Sequence, residues 1–252
     1  MDITAVINGH REQGLARPSL ASLRAAVGYA RSRGLEVEVV AALDCSDALT
    51  RDVFRDVAFD VPYRQLELDV DDLGEARNRA VAAARGRWIA LLDADDLWSE
   101  NWLHAAFAAA SADARLAVWH PEVAVYFGEA ERVLTHVDMD DPDYDLAALA
   151  VQNQWTALGF CSADLLRAVP YPTTNLSIGR GYEDWGWNMA VIAKGARHKV
   201  VPDTGHMIRV RSNSLGSRTA RSRSHPAIPP GMFRTLVGAK DFGDPPPRKA
   251  AP

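Results

Sequence analysis

Arg87-Trp-Ile-Ala-Leu-Leu-Asp-Ala-Asp-Asp96 is the segment from which the fold of this chain is predicted. Its apolar run, Trp88 to Leu92, is typical of a strand buried on both faces of a parallel sheet. The run leads directly into three carboxylates, Asp93, Asp95 and Asp96. Open parallel sheets bind ligands beyond the carboxyl ends of their strands, and hard divalent cations take oxygen ligands that they often share with phosphates. The segment therefore predicts an α/β nucleotide-type fold, a metal ion and a phosphorylated substrate.

Strand and helix signals alternate along the first half of the chain. The predicted strands are Ile3 to Ile7, Val37 to Leu43, Tyr63 to Leu68 and Trp88 to Leu92. The helices predicted between them run from about Ser19 to Arg33, Asp47 to Arg55 and Asp72 to Ala84. This order predicts a mostly parallel central sheet that is flanked by helices and joined by right-handed crossovers.

The second half of the chain predicts a small antiparallel addition to the sheet. Two strands, Leu116 to Phe127 and Glu131 to Val137, are separated by a turn at Gly128. The other predicted elements are a helix from Ser99 to about Ala110, a strand from Trp155 to Cys161, a short helix capped by Ser162, a helix ending near Gly195, and strands from Lys199 to Val201 and from Met207 to Val210. We expect one domain over residues 1–217 and a basic, Pro-rich tail over 218–252 that is flexible or packed on the surface.

Composition narrows the class of protein. The chain has 252 residues, of which 48% are hydrophobic, and no apolar run is long enough to cross a bilayer. We expect no secretory signal, and two cysteines make no disulfide framework, so reduced thiols and a cytoplasmic location are predicted. The net charge of −5 argues against nucleic-acid binding. Residues 209–252 nevertheless hold nine Lys or Arg and two Asp or Glu, a basic segment that could cover an anionic substrate or remain solvated.

The acidic triplet is the first candidate site. Three adjacent carboxylates repel one another, so a purely structural role as a helix-capping cluster is costly unless a cation neutralises them. We expect a divalent ion, Mn²⁺ or Mg²⁺, with Asp95 as a direct ligand. Asp93 would contact the nucleotide or reach the metal through water. His206 is a further candidate ligand, and an imidazole would favour Mn²⁺ over Mg²⁺.

Four further residues are candidates for binding the nucleotide or its diphosphate. Asp44 ends the second predicted strand and could accept hydrogen bonds from a ribose or base, or cap the following helix. Arg77 lies on a predicted helix and could reach a phosphate or base, or belong to a solvated helical face. Arg209 and Arg211 alternate along a predicted strand and could face one diphosphate.

The pair Glu183-Asp184 is the candidate for acid–base chemistry. Acidic residues are ordinary in a first helical turn because they complement the helix dipole. This pair, however, follows two glycines and is followed by two tryptophans, Trp185 and Trp187, and aromatic rings beside a carboxylate suit a sugar. A helix N-terminus should lower the pKa of Asp184, so a base there would depend on position more than on basicity.

Taken together, these features resemble a GT-A glycosyltransferase of family 2. The segments that carry the resemblance are Leu43-Asp-Cys-Ser-Asp47, Gly74-Glu-Ala-Arg-Asn-Arg-Ala80, the Asp-x-Asp motif in Leu92-Asp-Ala-Asp-Asp96, Gly181-Tyr-Glu-Asp-Trp185, and His206 with Arg209 to Leu215. The resemblance implies a hexosyltransferase-type enzyme that uses a nucleoside-diphosphate sugar and a metal ion. Its acceptor would be a hydroxyl on a saccharide, a lipid-linked sugar or a small molecule.

The resemblance also implies residue roles. Asp44 and Arg77 would bind the base or ribose, and Asp93 and Asp95 would hold the diphosphate through the metal. Asp184 would be the general base, with Glu183 beside it, and inversion follows if Asp184 lies opposite the leaving group. The turn Cys45-Ser46-Asp47 departs from the usual pattern, which bears on base specificity. The exit of the first strand, Ile7-Asn8-Gly9-His10, is also unusual and suggests a subfamily-specific contact by His10.

Three alternatives stay open from the sequence. A retaining transferase on the same fold would use Asp184 only to position substrate. A nucleotidyltransferase would want a Gly-rich, basic loop after the first strand, and Gly9-His10-Arg11 is a poor version of one. A non-catalytic protein that binds sugar nucleotides or carbohydrate is the third alternative.

Overall fold

The computed structural model describes residues 1–232 as one nine-stranded sheet flanked by helices. The strands are β1 (Ile3–Gly9), β2 (Val37–Asp44), β3 (Tyr63–Leu68), β4 (Trp88–Asp93), β5 (Leu97–Trp98), β6 (Ala117–Gly128), β7 (Arg132–Thr135), β8 (Phe160–Ser162) and β9 (Arg197–Val210). The α-helices are α1 (Ala16–Ser32), α2 (Ala48–Arg55), α3 (Leu73–Ala83), α4 (Trp102–Ala112), α5 (Ala163–Ala168), α6 (Glu183–Ala193) and α7 (Leu215–Arg221). Short 3-10 helices lie at Gln13–Leu15, Leu146–Ala150 and Leu176–Ile178.

The strand order is β3-β2-β1-β4-β8-β6-β9-β5, with β7 paired to β6. Strands β1 to β4 are parallel, and β6 and β9 are parallel to each other. Strand β8 is antiparallel to β4 and β6, and β5 and β7 form antiparallel pairs at the sheet margins. The predicted mostly parallel α/β sheet with a small antiparallel addition is therefore confirmed.

The core lies on both faces of the central strands because most residues of these strands are apolar. Every residue of β1 and of β2 is buried. Side chains alternate between the two faces, so Ile3, Ala5 and Ile7 join the cluster under α1 and α4, whereas Val6 joins the cluster under α3 and α5. This double burial explains why these strands could be predicted from apolar runs alone.

Several helix starts follow the predicted capping residues. Side-chain oxygens of Asp47, Asp72 and Ser162 accept backbone N–H groups at the start of α2, α3 and α5, at 2.8, 2.8 and 3.2 Å. The prediction that Ser99 caps a helix was wrong. Helix α4 begins at Trp102, and the Ser99 hydroxyl instead accepts the N–H of Gly205 at 3.1 Å, because β5 pairs with β9 at this point.

The second half of the chain departs from prediction at two strands. The strand predicted from Trp155 to Cys161 is reduced to β8, because Trp155 packs as a loop residue whose indole donates to the carbonyl of Val137 at 2.7 Å. The two short strands predicted between Lys199 and Val210 are one continuous strand, β9, which pairs with β6 along its length. The hairpin of β6 and β7 turns at Gly128, whose φ of +104° suits glycine.

The segment after residue 217 begins inside a helix. Helix α7 crosses residue 217, and Met232 is buried beside Leu149, Trp155 and Met189. The division into a domain over 1–217 and a tail over 218–252 stays a prediction, and the part of the tail after residue 232 lies outside the described residues.

Two further observations bear on the class of protein. Among residues 1–232, no helix is both long and apolar enough to cross a membrane. Cys45 and Cys161 are both free thiols. A cytoplasmic location stays a prediction.

Candidate functional site

The acidic triplet lies where β4 leaves the sheet. Asp93 is the last residue of β4 and is paired in register with Asn8 of β1. A tight turn follows, in which the N–H of Asp96 donates to the carbonyl of Asp93 at 3.0 Å. The turn therefore places three carboxylates at the carboxyl edge of the parallel strands, as the sequence predicts.

Arg77 joins this edge to the helix that carries the acid pair. Its guanidinium, only 1% exposed, donates to both carboxylate oxygens of Asp93 at 3.0 and 3.1 Å and to Oε1 of Glu183 at 2.9 Å. The sequence predicts that Arg77 reaches a phosphate or base. In the structure its side chain is instead buried where α3 packs against the sheet and α6, and it bridges two carboxylates.

In this bridge the arginine and its two carboxylates stabilise one another in their charged forms. Burial disfavours the charged guanidinium, but the carboxylates of Asp93 and Glu183 outweigh burial and raise the pKa of Arg77. Burial also raises the pKa of Glu183 to about 7, helped by repulsion from Asp184 and opposed by Arg77. Glu183 is therefore engaged in a buried ion pair with an arginine that stays charged.

Asp184 is half-buried in the first turn of α6. Its Oδ2 accepts a hydrogen bond from Nδ2 of Asn153 at 2.9 Å. Burial raises the pKa of Asp184, and this effect outweighs Arg77 and the first-turn backbone N–H groups, which lower it. The backbone N–H groups thus lower the pKa of Asp184, as the sequence predicts. Burial raises this pKa by more, and the extent of burial could not be predicted from the sequence.

The residue before the acid pair has an uncommon backbone conformation. Tyr182 caps α6 with φ of +53° and ψ of 59°, in the left-handed region, and provides no side-chain cap. Such geometry in a non-glycine residue is costly and is concentrated at functional sites. Tyr182 also packs edge-on against Trp185, so the two aromatic residues on either side of the acid pair in sequence contact each other.

The two arginines that the sequence placed on one diphosphate contact different groups. Arg211 forms an ion pair with Asp95 at 2.6 Å and approaches Glu12 at 3.9 Å. Arg209 donates its backbone N–H to Asp96 at 2.7 Å, and its guanidinium carbon lies 4.5 Å from the centre of the Phe127 ring. Of these two arginines, Arg211 brings its guanidinium to the acidic triplet, whereas Arg209 contacts the triplet through its backbone.

His206 lies in the core. It is 1% exposed, contacts Trp102 edge-on at 4.7 Å and sits opposite Trp98 in the pairing of β5 with β9. Neither ring nitrogen has a hydrogen-bond partner among the described residues, and burial lowers the pKa of the imidazole well below its usual value. Within residues 1–232, no three His, Cys, Asp or Glu side chains form a group that could hold a metal ion. The predicted set of Asp93, Asp95 and His206 is therefore not brought together.

Asp44 has a local structural partner. Its Oδ1 accepts the backbone N–H groups of Val70 at 2.8 Å and Asp71 at 3.3 Å, so it holds the loop between β3 and α3. Helix α2 is capped by Asp47, which excludes the alternative role considered for Asp44. Beside it lies an open, polar cleft of about 530 Å³, which is lined by Arg11, Cys45, Ser46, Arg51, Glu67, Leu68, Asp69 and Asp71.

Sequence reasoning missed two residues at this site, Asn153 and Asn188. Asn153 lies in a loop without a motif. Asn188 lies four residues after Asp184, on the same face of α6, and this spacing is the signal that could have found it. The amide of Asn188 donates to Oδ1 of Asn153 at 2.9 Å.

Comparison with known proteins gives matches of three kinds. The family model described as "Glycosyl transferase family 2" matches residues 4–158. The succinoglycan biosynthesis protein ExoO of Rhizobium meliloti (strain 1021) is 34% identical over 119 residues, which are 46% of this chain and 34% of that protein. The chain thus spans about a third of the length of this curated relative.

Solved structures support the fold. The structure of S. aureus TarS matches with a TM-score of 0.62 and 19% identity, over 84% of this chain and 37% of that one. Residues 1–349 of TarS in complex with UDP-GlcNAc match with a TM-score of 0.61 and 18% identity, over 86% and 61%. The mannosyltransferase PcManGT from Pyrobaculum calidifontis, in complex with GDP-Man and Mn²⁺, matches with a TM-score of 0.60 and 18% identity, over 94% and 68%.

The predicted GT-A fold is confirmed by these structural matches. The family model covers more than half of the chain and includes the strand exits and the acidic triplet. The chain belongs to glycosyl transferase family 2.

Proposed function

We propose that this domain transfers a sugar from a nucleoside-diphosphate sugar to an acceptor hydroxyl, with inversion at the anomeric carbon and with Asp184 as general base. The observation that supports this proposal most is which acidic side chains at the site form salt bridges and which do not. Among the neighbouring acidic residues, Asp93 and Glu183 pair with Arg77 and Asp95 pairs with Arg211. Asp96 has no arginine side chain as a partner, but it is only 5% exposed and accepts the backbone N–H of Arg209. Asp184 contacts the neutral amide of Asn153 and forms no salt bridge within residues 1–232. A carboxylate without a cation, with its pKa raised by burial, is the one best suited to accept a proton.

The donor is proposed from the relatives and from the acidic triplet. TarS is described with UDP-GlcNAc and PcManGT with GDP-Man and Mn²⁺, so UDP and GDP sugars are the first candidates. The carboxylates of Asp93 and Asp95 fit Mg²⁺ or Mn²⁺, which are held by one or two carboxylates together with substrate phosphates. His206 does not fit this role because its ring packs among tryptophans in the core. The metal would neutralise charge that develops on the departing diphosphate.

The chain's own residues account for the rest of the reaction. The acceptor hydroxyl gives its proton to a carboxylate oxygen of Asp184, and the acceptor oxygen forms a bond to the anomeric carbon. The bond from that carbon to the diphosphate breaks, and the nucleoside diphosphate leaves with the electron pair. Attack from the face opposite the leaving group inverts the anomeric configuration. Arg211, which follows β9, forms an ion pair with Asp95 and would pair with the diphosphate.

We expect the variant Asp95→Ala to lose metal-dependent donor binding, because it removes the carboxylate proposed as a direct metal ligand. Melting temperature should be measured with Mn²⁺ and either UDP-GlcNAc or GDP-mannose. At a hundredfold excess over Kd, the donor should raise the melting temperature of the wild-type domain by about 5 °C or more, and the variant should show almost no rise. Asp60→Ala is the control, because Asp60 is exposed and lies away from the site. An equal rise in Asp95→Ala and wild type would contradict the proposed site.

The anomeric configuration of the product separates the inverting reaction from the retaining alternative. With an α-linked sugar donor, we expect a β-linked product, because Asp184 would activate a nucleophile for a single displacement. Proton NMR of the product formed in the first minutes measures the coupling constant at the anomeric proton. An α-linked product would eliminate the role of general base and leave Asp184 as a residue that positions substrate.

A further inference from the structure

We propose that Asn153 and Asn188 are positioning residues that hold the carboxylate of Asp184 in one orientation. This inference rests on the proposed function, in which Asp184 is the base. The three side chains form a short series of hydrogen bonds, from Asn188 to Asn153 and from Asn153 to Asp184, each 2.9 Å long. The series joins the first turn of α6 to its second turn through the loop before β8.

The orientation of the Asn153 amide follows from the chemistry of its neighbours. An ionised carboxylate only accepts hydrogen bonds, so the amide nitrogen of Asn153 must face Asp184. Its oxygen then faces Asn188, whose amide nitrogen donates to it, and the backbone N–H of Trp155 lies 3.5 Å from the same oxygen. Rotation of the Asn153 amide by half a turn would place two acceptors against each other at Asp184. The hydrogen bond from Asn188 therefore supports the orientation in which the nitrogen of Asn153 meets the base.

Asn188 is buried beside two histidines. It is 1% exposed, and its backbone carbonyl oxygen lies 3.4 Å from Nε2 of His198. If that nitrogen donates, Nδ1 of His198 must accept, and it lies 2.8 Å from Nε2 of His120. The remaining nitrogen of His120 is buried without a partner among the described residues, so no contact opposes a proton on the nitrogen that faces His198. Burial keeps both imidazoles neutral by lowering their pKa values.

In this arrangement the two carboxylate oxygens of Asp184 have different roles. Oδ2 is occupied by Asn153, which leaves Oδ1 for the acceptor hydroxyl. The charged and titratable groups that act on Asp184 from the packed elements are Arg77 on α3, Asp93 on β4, Glu183 on α6, Tyr126 on β6 and Tyr171 before α6. None of these is removed by substituting Asn153, so an effect of that substitution reports on the hydrogen bond itself.

The test compares Asn153→Ala and Asn188→Asp with wild type, using nucleoside diphosphate release from UDP-GlcNAc or GDP-mannose with Mn²⁺, whichever raises the melting temperature. In Asn188→Asp the new carboxylate only accepts, so Asn153 must turn its nitrogen away from Asp184. We expect kcat to fall about tenfold or more in both variants with the donor KM unchanged. The acidic limb of the pH profile should move to higher pH, because the ionised carboxylate loses a donor. Gln152→Ala is the control, since its side chain is exposed and adjacent in sequence.

A second measurement does not need turnover. In protein labelled with ¹³C at the aspartate carboxyls, the signal of Asp184 is identified by its loss in Asp184→Asn, and its titration is followed by NMR. Asn153→Ala should raise the midpoint, and Gln152→Ala should leave it at the wild-type value. This measurement keeps the inference testable if Asn188→Asp does not fold.

The outcomes separate the inference from the function on which it rests. If Asp184→Asn loses turnover and Asn153→Ala keeps the wild-type kcat, pH profile and titration midpoint, the positioning role is overturned while the base assignment stands. If Asp184→Asn keeps turnover, the proposed base is wrong, and an unchanged titration of Asp184 in Asn153→Ala overturns the hydrogen-bonded pair independently.

Discussion

Asp184→Asn is expected to keep donor binding and to lose sugar transfer by about a hundredfold or more, because an amide cannot accept the proton of the acceptor hydroxyl. The substitution is nearly isosteric, and the amide can still meet Asn153 through its oxygen. The packing of α6 should therefore be retained. Transfer rate and the donor-induced rise in melting temperature should be measured in the same preparation.

Asp164→Asn is the matched control for this substitution. Asp164 also lies in the first turn of a helix, α5, but its side chain is 98% exposed. Loss of helix-dipole complementarity should therefore be similar in both variants, and only Asp184→Asn should lose transfer. Wild-type transfer by Asp184→Asn would show that another group accepts the proton.

Arg77→Met is expected to have the largest effect on stability. It leaves the carboxylates of Asp93 and Glu183 without their shared cation, and breaking a buried ion pair in this way costs about 3–5 kcal/mol. Urea unfolding measures the free energy. Arg79→Met is the control, because Arg79 lies on the exposed side of α3 in a surface pair with Glu75, and such pairs contribute about 0–1 kcal/mol.

The pH dependence of Arg77→Met has a defined sign. Burial raises the pKa of Glu183 to about 7 in the folded protein, above its ordinary value, so the folded state binds more protons than the unfolded state between about pH 4.5 and 7. Stability from this group is therefore lost as the pH rises through that window. Without Arg77 the loss should be larger, so the variant should be more destabilised at pH 8 than at pH 5.5. A loss below about 1 kcal/mol at pH 8 would contradict the role of Arg77 as a structural bridge.

The parallel half of the sheet could be predicted because its signals are local. Apolar runs give β1 to β4, capping residues give α2 and α3, and the register of parallel strands brings their carboxyl ends to one edge. The position of Asp93 at that edge follows directly. The resemblance to family 2 then places Glu183-Asp184 near the same edge, although the two segments are about ninety residues apart in sequence.

The partners of the site residues could not be predicted, because they depend on packing between distant segments. A helical arginine such as Arg77 is usually solvated, and only the contact of α3 with α6 buries it between two carboxylates. His206 resembles a metal ligand in sequence, but the pairing of β5 with β9 places it beside Trp98. Asn153 lies in an irregular segment, where no periodicity predicts which way a side chain points.

The bridge made by Arg77 has a consequence for the energetics of turnover. One guanidinium fixes the separation between the strand exit proposed to face the donor and the helix that carries the proposed base. The distance between the proposed donor site and the proposed base is thereby fixed when the polypeptide folds. Little rearrangement between them would then be needed in each cycle, and the free energy gained on substrate binding could be directed to the transition state.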